Sequence, residues 1–134
     1  MKIMFDTNIW IYYYTETEKS LIIEKILIEN FSDLLITSQI LGEFYNVITR
    51  KIMKSKKDAQ QIISEELTMF PVIKIGKNEV LRAIEVSIKY EFSYWDSLVI
   101  ASALENGCEI LYSEDMQHNQ IIEDKLKIKN PYIE

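Results

Sequence analysis

Short apolar segments alternate with longer segments of helical period along the whole chain, and this alternation restricts the folds open to it. The apolar segments predict four strands, at residues 2–5, 34–37, 72–75 and 109–112. The helical segments cover residues 18–29, 38–53, 57–69, 78–90 and 95–106. Strands joined by helices predict a mainly parallel sheet with helices on its faces. We therefore expect an α/β fold, a three-layer sandwich with a central, mainly parallel sheet flanked by helices.

Length and composition fit one domain. With 134 residues, of which 48% are hydrophobic, the chain can bury roughly two-thirds of the surface that its unfolded state exposes. Three glycines and two prolines leave no linker-like segment, so we expect one domain over residues 1–134. No apolar stretch reaches the ~20 residues of a membrane span, and Lys2, Asp6 and Asn8 make the first segment unlike a signal peptide. The single cysteine, Cys108, fits a reducing compartment, so we expect a cytoplasmic protein without a membrane partner.

Four carboxylates interrupt apolar segments near points where a strand or helix should begin or end. They are Asp6, Glu43, Asp96 and Asp115. Asp6 and Asp115 follow predicted strands, and ligands of open parallel sheets bind beyond the carboxyl ends of the strands. Carboxylates gathered there repel one another unless a cation lies between them. Because hard oxygen ligands without a histidine or cysteine cluster favour Mg²⁺ or Mn²⁺, the four acids predict a divalent metal site.

Each of these acids also has a purely structural interpretation. Asp6 suits a turn between a strand and a helix, and Asp115 suits the cap of a short helix through residues 121–122. Asp96 ends the pattern Ser93-Tyr94-Trp95-Asp96, a capping box in which the acid satisfies a helix N-terminus. On these interpretations the protein is an α/β domain with an unrelated binding role. Convergence of all four acids in one place is the observation that favours the metal site.

The overall charge argues against a general nucleic-acid binder. The formal charge of −6 and the pI near 4.9 lack the basic footprint of such proteins. A local basic run nevertheless lies shortly before the middle of the chain. It comprises Arg50, Lys51, Lys54, Lys56 and Lys57. These cations can contact RNA phosphates, with Arg50, Lys51 and Lys54 as the candidates. They can equally form a solvated helix end that is placed favourably against the helix dipole.

Other chemistry-bearing residues favour structural roles. No glycine-rich phosphate loop accompanies the acids, so a nucleotide cofactor is not expected, and Cys108 has no histidine nearby in sequence to activate it. The only histidine, His118, suits an exposed polar turn. Trp10 and residues 12–14, all tyrosines, crowd beside a short first helix, and we expect some of these rings to face a protein interface. Trp95 is expected to pack against the protein.

Four blocks of residues together resemble a known family. They are Ile3-Met4-Phe5-Asp6-Thr7-Asn8, Gly42-Glu43-Phe44, Tyr94-Trp95-Asp96-Ser97 and Leu111-Tyr112-Ser113-Glu114-Asp115. In order, spacing and strand or helix context they resemble the signature blocks of PIN-domain ribonucleases over nearly the whole chain. The small size, with no appended domain, is similar to the VapC-type toxin branch of that family.

The resemblance implies a metal-dependent endoribonuclease that uses Mg²⁺ or Mn²⁺. Its catalytic and metal-binding residues would be Asp6, Glu43, Asp96 and Asp115, holding one or two ions. Asn8 and Ser113 would orient these carboxylates. Some relatives carry a further acid where this chain has Gln117, and this difference bears on the second ion.

The resemblance also implies partners. They are an RNA substrate such as tRNA, an antitoxin protein and a second copy of the chain in a homodimer. The alternative is a catalytically silent PIN-like module that binds RNA or a protein without cleaving.

Overall fold

Six strands and six helices make up the fold in the computed structural model, which describes residues 1–15, 17–52 and 54–133. The strands are β1 (Lys2–Phe5), β2 (Leu34–Thr37), β3 (Val72–Ile73), β4 (Cys108–Tyr112), β5 (Ile121–Ile122) and β6 (Leu126–Lys129). The helices are α1 (Thr7–Thr15), α2 (Thr17–Glu29), α3 (Ser38–Arg50), α4 (Lys56–Glu65), α5 (Lys77–Tyr90) and α6 (Tyr94–Glu105). Short 3₁₀ turns cover Phe31–Asp33 and Leu67–Met69.

The six strands form one sheet in the order β3-β2-β1-β4-β6-β5. All neighbouring pairs are parallel except β5 with β6. β1 lies in the interior of the sheet, and its Ile3, Met4 and Phe5 are each 0% exposed. Strands that are covered on both faces need continuous apolar runs, which is why β1 and β2 are apolar without alternation. The predicted α/β class with a mainly parallel sheet is confirmed.

The predicted elements agree with the structure in the centre of the sheet and differ at its edge. The segment at residues 121–122, considered above as a short helix, is β5, and it pairs with β6, which was not predicted. β6 reads Leu-Lys-Ile-Lys, and its two apolar side chains are buried, so its alternation was visible but short. The predicted helix 57–69 ends at Glu65 and continues as a 3₁₀ turn. The predicted helix 38–53 ends at Arg50, and Met53 lies outside the described residues.

Helix starts follow the polar residues expected to begin them. Thr37, the last residue of β2, accepts a hydrogen bond from the Ile40 amide through its hydroxyl at 3.1 Å. Ser93 accepts a bond in the same way from the Asp96 amide at 3.1 Å. Such side-chain caps satisfy amides that the helix itself leaves unpaired. They fix where α3 and α6 begin, and both starts lie beside the carboxyl edge of the sheet.

The aromatic residues of α1 mostly face the protein interior. Trp10 is 1% exposed, and its ring centroid lies 5.1 Å from that of Phe5. Tyr14 packs against Phe44 at 5.5 Å, and its hydroxyl donates to Glu66 at 3.1 Å. Trp10 therefore belongs to the core, and the expectation that some of these rings face a protein interface concerns the three half-buried tyrosines.

Cys108 is a buried thiol at the start of β4. Burial raises its pKa to about 11, so it stays protonated near neutral pH and is a poor nucleophile. Over residues 1–15, 17–52 and 54–133, none of the helices has the length and apolar character needed to cross a membrane.

Substitution of two glycines by alanine tests the backbone conformation found at each position. Gly107 ends α6 with a φ of 76°, so Gly107→Ala should destabilise the protein by about 1–2 kcal/mol. Gly42 lies within α3, and an added Cβ would meet nothing within 4 Å, so Gly42→Ala should stabilise it by up to about 1 kcal/mol. Urea unfolding of both variants measures the two effects. Equal effects of the two substitutions would contradict the assigned backbone at Gly107.

Candidate active site

Two neighbouring parallel strands bring the first and last blocks of the chain together. Phe5 and Tyr112 are register partners at the ends of β1 and β4. The Asp6 amide then donates to the Tyr112 carbonyl at 2.9 Å. Asp6 and Ser113 therefore leave the sheet side by side, and the Ser113 hydroxyl donates to Asp6 Oδ2 at 2.8 Å. The other oxygen of Asp6 accepts from the Thr7 amide at 2.8 Å.

Asn8 makes a second connection between the same two segments. Its amide nitrogen donates to Asp115 Oδ2 at 2.9 Å, and its amide oxygen accepts from the Glu114 backbone at 3.3 Å. The Ser113 hydroxyl oxygen also accepts from the Asp115 amide at 3.3 Å. Asn8 and Ser113 thus contact two of the four acids, in the geometry needed to orient carboxylates.

All four acids singled out from the sequence line one cleft of about 400 Å³. Asp6 and Asp115 enter it from the strand ends, Glu43 from the second turn of α3, and Asp96 from the first turn of α6. The Asp96 amide is capped by Ser93 while its carboxylate lines the cleft, so helix capping and a site role coexist here. The proposed cap of a helix at residues 121–122 by Asp115 is wrong, because that segment is a strand.

The electrostatics of the cleft oppose ionisation of its acids. Asp6 is 7% exposed, and burial raises its pKa to about 6, with further repulsion from Asp96 and Glu43 and opposing hydrogen bonds from Ser113 and Thr7. Burial is also the main cause that raises the pKa of Glu43 and of Asp96. Asp96 adds repulsion at Glu43, and Asp115 adds it at Asp96. A bound cation would relieve both the desolvation and the repulsion.

The oxygen atoms that line the cleft are of the type that hard divalent cations prefer as ligands. Glu43 Oε1 and Thr7 Oγ1 line the cleft, are buried and have no hydrogen-bond partner among the described residues. Unpaired buried oxygens are costly, and a cation or its water would satisfy them. Within the described part of the chain, however, no three histidine, cysteine, aspartate or glutamate side chains lie close enough to hold a metal ion together. To bind an ion, the carboxylates would have to draw closer together than they are here.

The basic run divides between two places. Lys51, at the end of α3, lines the acidic cleft and forms no ion pair with any residue that the structure describes, whereas Arg50 and Lys54 do not line it. Lys56 and Lys57 line a separate cavity of about 570 Å³. Of the three candidate RNA contacts, the structure brings only Lys51 to the acids.

Two further residues of the cleft were missed from the sequence. Thr7 and Tyr12 line it, and Tyr12 is one helical turn beyond Asn8 on α1, a spacing that could have indicated a shared face. Lys19 Nζ lies 3.8 Å from the Tyr12 ring centroid and pairs with Glu114 at 3.0 Å. This contact holds the rim of the cleft beside the last block.

The structure also shows the exposure and contacts of three other residues that the sequence singled out, Gln117, His118 and Trp95. Gln117 is exposed and outside the cleft, so no fifth acid or amide extends the acidic set there. His118 is half-buried, and its Nδ1 accepts from the Asn130 amide at 2.9 Å, so it is not the free exposed turn expected. Trp95 was expected to pack, and this is wrong, because its side chain is 64% exposed.

The fold and site define a class of protein, an α/β domain with an acidic cleft at the carboxyl edge of a parallel sheet. The PIN domain family model matches residues 3–123, and the chain belongs to that family. The family expected from the four blocks is confirmed. A comparison with the sequences of curated proteins finds no significant match.

Solved structures share the fold. A toxin–antitoxin complex from Klebsiella pneumoniae is similar at a TM-score of 0.76 and 19% identity, over 98% of both chains. VapC20 of Mycobacterium tuberculosis, described as a sarcin–ricin loop cleaving toxin, is similar at 0.68 and 15% identity, over 85% of this chain and 90% of that one. DNA-bound VapBC from Salmonella typhimurium is similar at 0.73 and 15% identity, over 98% of both chains. At these identities the likeness is one of fold.

The raised pKa of Asp6 predicts how stability depends on pH in the presence of a chelator. Because the folded pKa is about 6 against an ordinary 3.8, the folded state holds more protons than the unfolded state between these values. The free energy of unfolding should therefore fall as pH rises from about 4 to about 7. Asp6→Asn removes this penalty and should be more stable than the wild type by about 3 kcal/mol at pH 8, from 1.36 kcal/mol per pKa unit.

Urea unfolding at several pH values measures this difference. It should disappear below about pH 3, where the wild-type carboxyl is largely protonated in both states. Asp124→Asn, at an exposed position with a φ of 55° that asparagine tolerates, is the control and should show no such trend. A difference in the free energy of unfolding between wild type and Asp6→Asn that stays constant with pH would contradict the raised pKa of Asp6.

Proposed function

We propose that this protein is a metal-dependent endoribonuclease and the toxin of a toxin–antitoxin pair. The observation that carries the proposal is the convergence of Asp6, Glu43, Asp96 and Asp115, from four separate elements, on one cleft of a PIN domain. Burial raises the pKa values of Asp6, Glu43 and Asp96, and three such acids in one cleft are a poor structural solution, because cap or turn roles need no convergence. They are a suitable cage for Mg²⁺ or Mn²⁺.

The metal supplies Lewis acidity, which lowers the pKa of water and neutralises charge on a phosphodiester. The four acids would hold it, and the protein's own contribution is placement. Ser113 and the Thr7 amide fix both oxygens of Asp6, and Asn8 fixes one oxygen of Asp115. Orienting contacts of this kind typically change metal affinity or activity by about 10- to 100-fold. With water as the attacking group, cleavage leaves a 3′-hydroxyl and a 5′-phosphate.

Partners are proposed from the similar structures. One of these is described as a toxin–antitoxin complex and another as a toxin, which supports an antitoxin as the partner of this chain. VapC20 is described as cleaving the sarcin–ricin loop, which supports a structured RNA as substrate here, with tRNA as another candidate. We also propose that the protein acts in the cytoplasm as a homodimer.

A catalytically silent PIN module is the second candidate. The observation that favours it is the spacing of the acids, since no three of them among the described residues are close enough to hold an ion together. The two candidates differ in whether metal binding draws the carboxylates together. Metal binding can be measured without any substrate.

Cleavage of RNA by the purified protein tests the proposal. Mg²⁺ or Mn²⁺ should support cleavage of mixed RNA, a chelator should abolish it, and Asp6→Asn or Asp96→Asn should lower the rate about 100-fold or more. The products should carry 5′-phosphates, as shown by their ligation without prior phosphorylation. Asp124→Asn, outside the cleft, should cleave like the wild type.

Thermal unfolding separates the two candidates. Mg²⁺ should raise the unfolding midpoint of the wild type and of Asp124→Asn, and raise it less in Asp6→Asn. An unfolding midpoint that Mg²⁺ does not change in the wild type, together with no RNA cleavage, would favour the silent module. Cleavage that continues in chelator and in Asp6→Asn would reject the mechanism.

Lys51 provides a test of RNA contact within the basic run. Lys51→Gln should raise KM about 5- to 10-fold and reduce the salt dependence of RNA binding by about one ion, because one phosphate contact is lost. Lys57→Gln, which removes an equal charge from the separate cavity, should change KM less than twofold. Cleavage rates at several salt concentrations measure both variants. Equal effects of the two substitutions on KM would show that the basic run acts through its overall charge and that Lys51 makes no specific phosphate contact.

A further inference from the structure

We propose that Trp95 is a stacking platform for an unpaired base of the RNA substrate, next to the bond that is cleaved. The inference rests on the proposed ribonuclease function and adds the residue that would position a nucleotide. The observation behind it is an indole that is 64% exposed, one residue before a cleft acid.

Trp95 lies on the first turn of α6, directly before Asp96, and does not itself line the cleft. Its backbone carbonyl accepts from Gln39 Nε2 at 3.4 Å, and Gln39 is one helical turn before Glu43 on α3. Asp96 follows Trp95 directly on the first turn of α6. The backbone of Trp95 is thus fixed to the helix that carries Glu43 and adjoins Asp96 in the chain.

The Trp95 indole contacts the ring of the residue before it. Its ring packs edge-on against Tyr94, with ring centroids 5.1 Å apart and an interplanar angle of 73°. Tyr94 itself is 37% exposed. An edge-on neighbour buttresses the indole and leaves a face available, which is the geometry that base stacking needs.

Two features favour RNA as the occupant. Unpaired bases stack on exposed aromatic side chains without requiring charge complementarity. The protein has a net charge of −6, and Lys51 is the cation that lines the acidic cleft, so charge supplies little attraction for a polyanion. A neutral contact close to the acids would supply the affinity that electrostatics does not.

The chain also carries its own spectroscopic probe. Of its two tryptophans, Trp10 is 1% exposed and Trp95 is 64% exposed. Quenching of the exposed indole can therefore be followed directly. The experiment uses Asp6→Asn in Mg²⁺, in which the proposed cleavage is disabled, and adds single-stranded RNA homopolymers or a blunt RNA duplex.

Single-stranded RNA should quench the Trp95 emission, and the blunt duplex, whose bases are already stacked, should quench it much less. Binding of the same RNA, measured separately by anisotropy of an end label, should weaken about 5- to 100-fold in Trp95→Ala and recover mostly in Trp95→Phe. In the otherwise wild-type chain, Trp95→Ala should raise KM by a similar factor and change kcat less. Met69→Ala removes another side chain, 67% exposed, and should change neither.

Several outcomes would overturn the inference. RNA that binds by anisotropy but leaves Trp95 emission unchanged would show that the base lies elsewhere. Emission that shifts with protein concentration alone, together with dimer formation in sedimentation, would show that a second copy covers the indole. If no RNA is cleaved but quenching by single strands occurs, the ribonuclease proposal fails and the stacking platform stands.

Discussion

The pairing of β1 with β4 is the constraint on which the rest of the structure depends. It places residues that are 107 positions apart in hydrogen-bonding contact, Ser113 with Asp6 and Asn8 with Asp115. Parallel pairing sends both strands toward the same edge, so the acids that follow them emerge together. The ends of α3 and α6 nearest this edge then bring in Glu43 and Asp96. The site is a property of the sheet topology, because no local segment contains more than one of its acids.

Burial of the Asp6 carboxylate lowers the stability of the fold and supplies charge that the proposed function needs. Asp6 is buried with two hydrogen bonds but without a cation, and its pKa of about 6 records that cost. An asparagine there could accept from the Thr7 amide and donate to the Ser113 hydroxyl oxygen without carrying a charge, so hydrogen bonding alone does not account for an acid at this position. Local destabilisation at a site that needs charge is the usual relation between stability and activity. A cation would recover the cost only when it is bound.

The sequence predicted most where a physical rule is strong. The apolar runs of β1 and β2 and the caps at Thr37 and Ser93 follow from burial and unpaired amides, and the structure contains them. Asp6 and Asp115 could be grouped because they follow strands that share an edge, whereas Glu43 and Asp96 lie on helices and joined them through the resemblance of the four blocks. β5 has two residues, too few for a period to show, and it exists because β6 pairs with it. The exposure of Trp95 could not be inferred, since an indole beside an apolar helix usually packs and only tertiary structure shows which side is covered.

The charge distribution implies an order of binding. A phosphodiester entering the cleft meets four carboxylates and one lysine, Lys51, so the approach of RNA is opposed until positive charge is added. A divalent ion changes that balance at the floor of the cleft, while Lys51 is exposed at its rim. On the proposed function, metal would therefore bind before RNA or together with it, and the affinity for RNA should depend on the metal concentration. The same reasoning makes neutral contacts valuable at the rim, because they add affinity without adding charge that would compete with the metal for the carboxylates.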